Sequence, residues 1–275
     1  MPVARCGQQP PGDLDSVCHL FAAENLLLTH SIPAIFAALR FTPYTVATRM
    51  LSARSPTPVR SRLPAAMLLA ASGGLLDAVT YLDHGHVFAN AMTGNFVLLG
   101  VALAQRNWFQ AMRHTSPVVA FAIGVLAARR VEYMQRERTV LAALGLEIIA
   151  LFVLGLLPPS FPELLFTGCL SFVSAFQVST FHQIDGFPYS STFVTGNLRE
   201  AGNGLFDSFA HDDPGVRAKA WLKFRELSSI SFVFLMGAVL GGFAVHLAHK
   251  HALWFAEPLL LGALAATLIE SVGEP

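Results

Sequence analysis

Two short stretches carry the residues whose types and spacing suggest chemistry. Met92-Thr93-Gly94-Asn95 and Val194-Thr195-Gly196-Asn197 repeat a Thr-Gly-Asn motif 102 residues apart. Each is preceded by a polar residue set inside an apolar run, Asp77 in the first case and Gln177 in the second. Thr or Asn near a helix start can satisfy the N–H groups that a first helical turn leaves unpaired. Gly permits close approach by another backbone or by a ligand. A helix that starts inside a membrane presents a partial positive charge at depth. Two such starts in related halves of a chain form the usual solute site of secondary transporters. Asp77, Thr93, Gly94, Asn95, Gln177, Thr195, Gly196 and Asn197 are therefore the candidate substrate-binding residues. The bland alternative is that each motif caps its helix and packs against a neighbour.

A second set is ionisable. Asp77, Glu147 and Glu257 lie in apolar stretches, where a charge is costly and marks a functional candidate. Arg199 is the cation that could neutralise Asp77 or Glu147, so Glu147, Arg199 and Glu257 form a candidate proton or charge network. His84, His86 and Asp83 share one turn, and His182 and Asp185 the corresponding later turn. Loop histidines at a water interface are the commoner case. No metal site is expected, and neither is a cofactor. No Ser-His-Asp order, phosphate loop or HExxH is present, so no catalytic residue is assigned and an enzyme is not expected.

The elements that must position these groups are membrane helices. The chain is 53% hydrophobic and only 13% charged, where soluble domains carry about 25% charge. Mean hydropathy is +0.53. Net charge is zero, so nothing points to nucleic acid. The lipid bilayer is the expected partner, with a small polar solute as the candidate ligand. Three cysteines, Cys6, Cys18 and Cys169, support neither a disulfide framework nor a zinc site; Cys169 reads as a small buried residue.

Residues 1–62 differ from the rest and are rich in Pro. Their apolar stretches are too short to span, and no secretory signal pattern is present. This leader is expected to be disordered or weakly helical, or a mis-called start with Met50 as the native one. Eight apolar segments follow: Leu63–Leu82, Ala91–Ala104, Thr115–Tyr133, Val140–Leu157, Glu163–Phe181, Thr192–Phe209, Leu227–Ala248 and Ala252–Ile269. A span needs about 20 apolar residues, so the second is short, and the sixth carries Arg199, Glu200 and Asp207. Pro214–Glu226, with Arg217, Lys219, Lys223, Arg225 and Trp221, reads as a cytoplasmic-side amphipathic helix.

The recurring motifs imply two internal repeats, residues 63–158 and 159–275. Positive charge then sets topology. With eight spans, ten Lys and Arg fall inside and five outside; with the second and sixth segments at half depth, twelve fall inside and three outside. The expected fold is thus an all-α polytopic bundle of six full spans and two short or re-entrant helices, in inverted repeats, with a cytoplasmic N-terminus in the cell inner membrane.

The stretches DAVTYL and MTGNFVLLG, with Gln177 and TFVTGNLRE in the second half, resemble the YoaK family of multi-pass bacterial membrane proteins. The likeness covers about Ala65–Ile269. It implies about six spans and no established biochemical function, and it supplies no catalytic residues. Functional readings are a small-solute transporter with its site between the two TGN helix starts, a non-transporting sensor, scaffold or assembly factor, or, with least support, an intramembrane enzyme using Asp77, His84 and Glu147.

Overall fold

The computed structural model describes residues 60–61, 63–134, 139–184 and 187–272. All of them fall in the unit Pro58–Pro275. The expected leader, apart from its last residues, and Asp185 lie outside the described residues.

Among the described residues, eight α-helices follow one another: α1 Leu63–Asp83, α2 Met92–Ala104, α3 Trp108–Met134, α4 Thr139–Leu156, α5 Glu163–Thr180, α6 Val194–Ala210, α7 Pro214–Ala248 and α8 Glu257–Val272. Among the described residues, five segments are long and apolar enough to cross a membrane: α1, α3, α4, α7 and His251–Ile269. The shorter apolar α2, at 13 residues, is only about 20 Å long against an apolar slab of about 30 Å. α5 has 18 residues but also Ser171, Ser174 and Gln177, all buried.

α1 is the hub. Leu69, Leu75, Leu76 and Val79 lie in the main core with Leu144, Leu151, Leu170, Leu227, Ile230 and Leu260. The outer helices instead present apolar side chains outward, among them Ile123, Leu126, Ile149, Phe232 and Phe243. Such an apolar exterior suits lipid rather than water.

The packing runs in matched pairs. α1 lies on α7, and α5 on α3; α2 packs on α3, and α6 on α7; α8 packs on α1, and α4 on α5. Small residues make the first two contacts close. A Cβ on Gly74 would sit 2.0 Å from the Phe234 carbonyl oxygen, and one on Gly237 2.0 Å from that of Ala71. A Cβ on Gly124 would sit 2.5 Å from the Phe172 oxygen. Gly237 meets Ala71 and Gly241 meets Leu75, so α1 and α7 run parallel; Ser116 meets Gly168 and Gly124 meets Phe172, so α3 and α5 do too. α4 and α8 pack on one another in the opposite sense. Trp254, just before α8, stacks on Phe152 and covers Gly155, near the end of α4.

Four expectations need correction. Pro214–Glu226 is not a separate amphipathic helix but the first part of the 35-residue α7; no Pro or Gly interrupts the chain from Val216 to Met236. α3 starts at Trp108, ahead of Thr115, and carries Pro117 inside it. The last apolar segment opens with a 3-10 helix, His249–Ala256, before α8. Cys169 is exposed, because in a membrane the outside of a bundle is as apolar as its core. One addition to the all-α reading is a small sheet. β1 Arg60–Ser61 pairs in parallel with β2 Gln183–Ile184, which pairs antiparallel with β3 Phe187–Pro188. The end of the expected leader is therefore ordered as β1.

Candidate functional site

Each TGN motif opens a short helix, and in each the three residues divide the same labour. Thr93 and Thr195 are exposed. Gly94 lies under the Phe88 ring and Gly196 under the Phe193 ring, where a Cβ would come within 2.8 and 2.9 Å of ring carbons. Asn95 and Asn197 point inward and are buried. The Asn95 Oδ1 accepts from the Phe88 N–H at 2.9 Å, and its Nδ2 donates to the Phe88 carbonyl at 2.7 Å. Asn197 does the same to Ser190, at 3.0 and 2.6 Å. Both amides thus grip the backbone seven residues upstream and fold the entering chain back over the helix start. Neither Asn side chain caps its own helix in the ordinary sense, in which the capping residue precedes the first turn.

Asp77 meets the first of these turns. Its Oδ1 accepts from the Asn90 N–H at 2.6 Å and, more weakly, from the Ala91 N–H at 3.4 Å. The anion at the start of α2 is therefore the protein's own carboxylate, a natural use of free N–H groups at a helix start. The other oxygen, Oδ2, is buried and meets no donor among the described residues. Thr80 does not reach this carboxylate; its hydroxyl donates to the Leu76 and Asp77 carbonyls.

Gln177 meets the second turn. Its Nε2 donates to Ser191 Oγ and to the Leu69 carbonyl of α1, both at 3.2 Å. The Ser190 hydroxyl accepts from the N–H groups of Thr192 and Phe193 at 3.3 and 3.0 Å. It fills the place that Asp77 fills at α2. The turns also cross over. Ser171 of α5 donates to the Ala89 carbonyl at 2.8 Å, Asn90 donates to the Gly73 carbonyl at 3.2 Å, and Thr192 lies against Gly73.

The structure thus brings Asp77, Gln177 and both pre-helix turns together on one stretch of α1, Leu69 to Asp77. Asn90, Ser171, Ser190 and Ser191 complete the network and were not singled out from the sequence. The available signal was weak: Ser190 and Ser191 stand where the first half has Phe88 and Ala89 when the TGN motifs are aligned.

The ionisable candidates separate. Arg199 is exposed and its partner is Glu200 of its own helix, so it does not neutralise Asp77 or Glu147 as expected. α6 turns that face outward because Asn197 and Ala201 occupy the inward one. Glu200 is also held by Lys223 Nζ at 2.5 Å, which keeps its carboxyl below the usual range. Glu147 is fully buried at the α4–α8 contact, where Glu257 is the charge that acts on it.

The turn histidines are each occupied separately. His84 stacks on Phe166 at 3.9 Å, and burial pushes its imidazole below its ordinary value, against the opposing pull of Asp83 and Glu163. His86 Nδ1 lies 2.8 Å from the Tyr81 carbonyl, and His182 Nδ1 lies 3.1 Å from that of Ser179.

Two apolar grooves lie away from the polar network. One, of about 800 Å³, runs along α3, α4 and α5 past Cys169. The other, of about 500 Å³, lies between α6 and α7. Their linings suit acyl chains better than a polar solute.

A family model described as a protein of unknown function, DUF1275, matches residues 65–267. The UPF0700 transmembrane protein YoaK of Bacillus subtilis (strain 168) is 26% identical over 222 residues, which cover 75% of this chain and 94% of the relative. The UPF0700 transmembrane protein RA0705 of Rhizobium meliloti (strain 1021) is 30% identical over 211 residues, covering 75% of this chain and 88% of the relative. No solved structure matches the chain significantly.

Proposed function

The chain belongs to the DUF1275 family and is a multi-pass membrane protein, and from that premise we propose that it carries a small polar solute across the cell inner membrane. The site is the polar stretch of α1 between the two TGN turns, with Asp77 as the group that meets the solute. The observation that carries this reading is the Asp77 carboxylate itself. One oxygen is spent on the start of α2; the other is buried and makes no hydrogen bond among the described residues, although the Ala89 N–H and the Asn90 side chain also act on the carboxylate. An unmatched buried acceptor of this kind costs several kcal/mol unless something supplies a donor or a proton. The solute class follows: a small molecule that presents N–H or ammonium hydrogens, rather than the anion that an unoccupied helix start would favour.

The frame of this carrier is two inverted repeats of three spans each, with α5 as the sixth span and α2 and α6 at half depth. Support comes from helix direction. If all eight helices crossed in alternation, α4 and α8 would run the same way. Trp254, just before α8, meets Phe152 and Gly155 near the end of α4, and α8 then packs on α4, which supports an opposite sense. The N-terminus is then cytoplasmic by the charge count. Asn95 and Asn197 hold the two turns in shape rather than touching the solute.

The test is uptake into proteoliposomes of a panel of small amines, amino acids, polyols and carboxylates. Uptake of an ammonium-bearing solute, lost in Asp77→Asn while the protein stays monodisperse, is the expected result. Transport of carboxylates alone, or uptake indifferent to Asp77→Asn, overturns it.

A second reading, a non-transporting scaffold or assembly factor, is favoured by one observation: both TGN asparagines are committed to internal backbone bonds. It requires no flux under any gradient and stable co-purification of a partner. An intramembrane enzyme using Asp77, His84 and Glu147 is not proposed, since His84 is committed to its stack on Phe166.

A further inference from the structure

One face of α7 changes character along its length. Phe232, Leu235, Val239 and Phe243 are exposed on it, and residues 227–248 include no Asp, Glu, Lys or Arg. Arg217, Trp221 and Arg225 precede Leu235, Val239 and Phe243 by about five whole turns each, so they continue the same lipid-facing face outward. All three are exposed. By helical rise Arg225 stands about 3 Å, Trp221 about 9 Å and Arg217 about 15 Å beyond Leu227. Side chains that meet acyl chains are thus followed, on one face, by the tryptophan and arginines that suit a headgroup layer.

α6 packs along α7 and makes a seam with two recesses. The deeper is the apolar groove of about 500 Å³, lined by Val194, Leu198, Phe232, Leu235 and Ala238 among others. From Ser228 to Ala238 it runs about 15 Å along α7, the depth of one leaflet. The outer recess is a pocket of about 360 Å³ lined by Ser208, Phe209, Arg217 and Trp221, with Pro214 and Ala218. The Arg217 Nε donates to the Ser208 carbonyl at 3.2 Å, which fixes the guanidinium beside the pocket. The charges around the seam are sorted. Among the described residues no acidic side chain pairs with Arg217 or Arg225, whereas Lys223 is held by Glu200 and Lys219 lies over the Phe187 ring. Glu200 and Asp207 stand two residues from the seam residues Leu198 and Phe209, hence on the other flank of α6. Asp213 is spent on the first N–H groups of α7, and Asp212 is exposed in the turn before it.

We propose that the α6–α7 seam binds an anionic phospholipid, with an acyl chain in the apolar groove and the phosphate between Arg225 and Arg217, beside Trp221. Arginine is suited to phosphate because its planar fork can donate two hydrogen bonds at once. A soluble anion would use the arginines but leave the groove and the aromatic walls without a role. A zwitterionic lipid would fill the groove but bring a cation to two arginines that lack an acidic partner among the described residues. The bound lipid ties the short helix α6 to the long helix α7 from outside the bundle. This site goes beyond the carrier reading and does not rest on it, since lipid binding is measured without any flux.

The test is native mass spectrometry of the purified full-length protein, titrated in detergent with phosphatidylglycerol or with phosphatidylcholine of the same acyl chains. Phosphatidylglycerol is expected to bind about tenfold more tightly or better. The double variant Arg217→Gln, Arg225→Gln alters only exposed side chains and should weaken phosphatidylglycerol about thirtyfold, roughly fivefold for each arginine, with phosphatidylcholine unchanged. Location is read separately: phosphatidylglycerol carrying a diazirine in mid-chain should, on irradiation, leave adducts on residues 194–198 or 228–238. Equal affinity for the two lipids, a preference that survives in the double variant, or adducts confined to the groove along α3, α4 and α5 overturns the proposal. So does full displacement of the lipid by inorganic phosphate, which would assign the arginines to a soluble anion, or by a co-purifying protein, which would assign the face to a protein partner.

Discussion

Asn95 holds the peptide of Phe88 from both sides, accepting from its N–H at 2.9 Å and donating to its carbonyl at 2.7 Å. Asn197 and Ser190 repeat the relationship in the second half of the chain. The TGN motif is thereby a device for folding a connecting segment back on a helix start. Its threonine faces outward, its glycine makes room for an aromatic ring, and its asparagine closes the clamp.

Asn95→Ala and Asn197→Ala should each destabilise the protein. Each leaves a half-buried N–H and a half-buried carbonyl without their side-chain partner, at up to about 1–3 kcal/mol per group. A loss of about 2–5 kcal/mol is expected in either variant, read as a lowered melting temperature in detergent. Flux should fall only in step with folded protein. A variant with native stability but no flux would return these asparagines to the solute site.

Glycine at the helix contacts is predicted to be irreplaceable in some places and free in others. Gly74→Ala and Gly237→Ala each drive a methyl into a backbone oxygen 2.0 Å away. Relief requires α1 and α7 to separate, a penalty of about 1–3 kcal/mol or more. Gly242 has nothing within 4 Å of its built Cβ, so Gly242→Ala should change stability by no more than about 0.5 kcal/mol. Thermal unfolding of the three variants side by side checks the contrast.

Much of this frame was legible beforehand. A repeated TGN with a polar residue some eighteen to twenty positions upstream marks equivalent turns. What the chain could not reveal is direction. Nothing in its order says that Asn95 reaches back to Phe88, because that depends on how the turn closes in three dimensions. Arg199 faces out because Asn197, two residues earlier, is committed inward. Cys169 was misread because periodicity cannot separate a lipid-facing from a core-facing position when both are apolar. Two-residue strands such as Arg60–Ser61 carry no pattern at all, and α7 runs on because its polar and apolar parts join without a breaker.

Stability should fall with acid through His84. Its imidazole sits below the ordinary value of 6.5 because it is buried against Phe166. Between its folded and unfolded values the unfolded chain binds more protons, so stability rises with pH there. The melting temperature should therefore drop as pH falls below about 6.5. His84→Phe keeps the stack and removes the proton, and should flatten this part of the profile. An unchanged slope in that variant would assign the acid sensitivity elsewhere.

Glu200 contributes in a lower window. Lys223 and, less strongly, Arg199 hold its carboxyl below the ordinary 4.5. The stabilisation is complete above the unfolded value and is lost as pH falls through the folded one. Lys223→Met should lower stability at neutral pH by a small amount and leave the most acidic part of the profile unchanged. Equal loss at every pH would show that Lys223 acts through packing rather than charge.

A carrier of this kind requires inverted halves, since only then do the two short helices enter from opposite faces of the membrane. Labelling of single cysteines introduced at Asn107 and at Asp212, in a background without Cys6, Cys18 and Cys169, decides this most directly. A membrane-impermeant maleimide applied to intact spheroplasts should modify Asn107→Cys and leave Asp212→Cys untouched, and on inverted vesicles the reactivities should exchange. Modification of both from the same side would mean that α2 and α6 cross the bilayer completely, and would contradict the inverted frame and the carrier built on it.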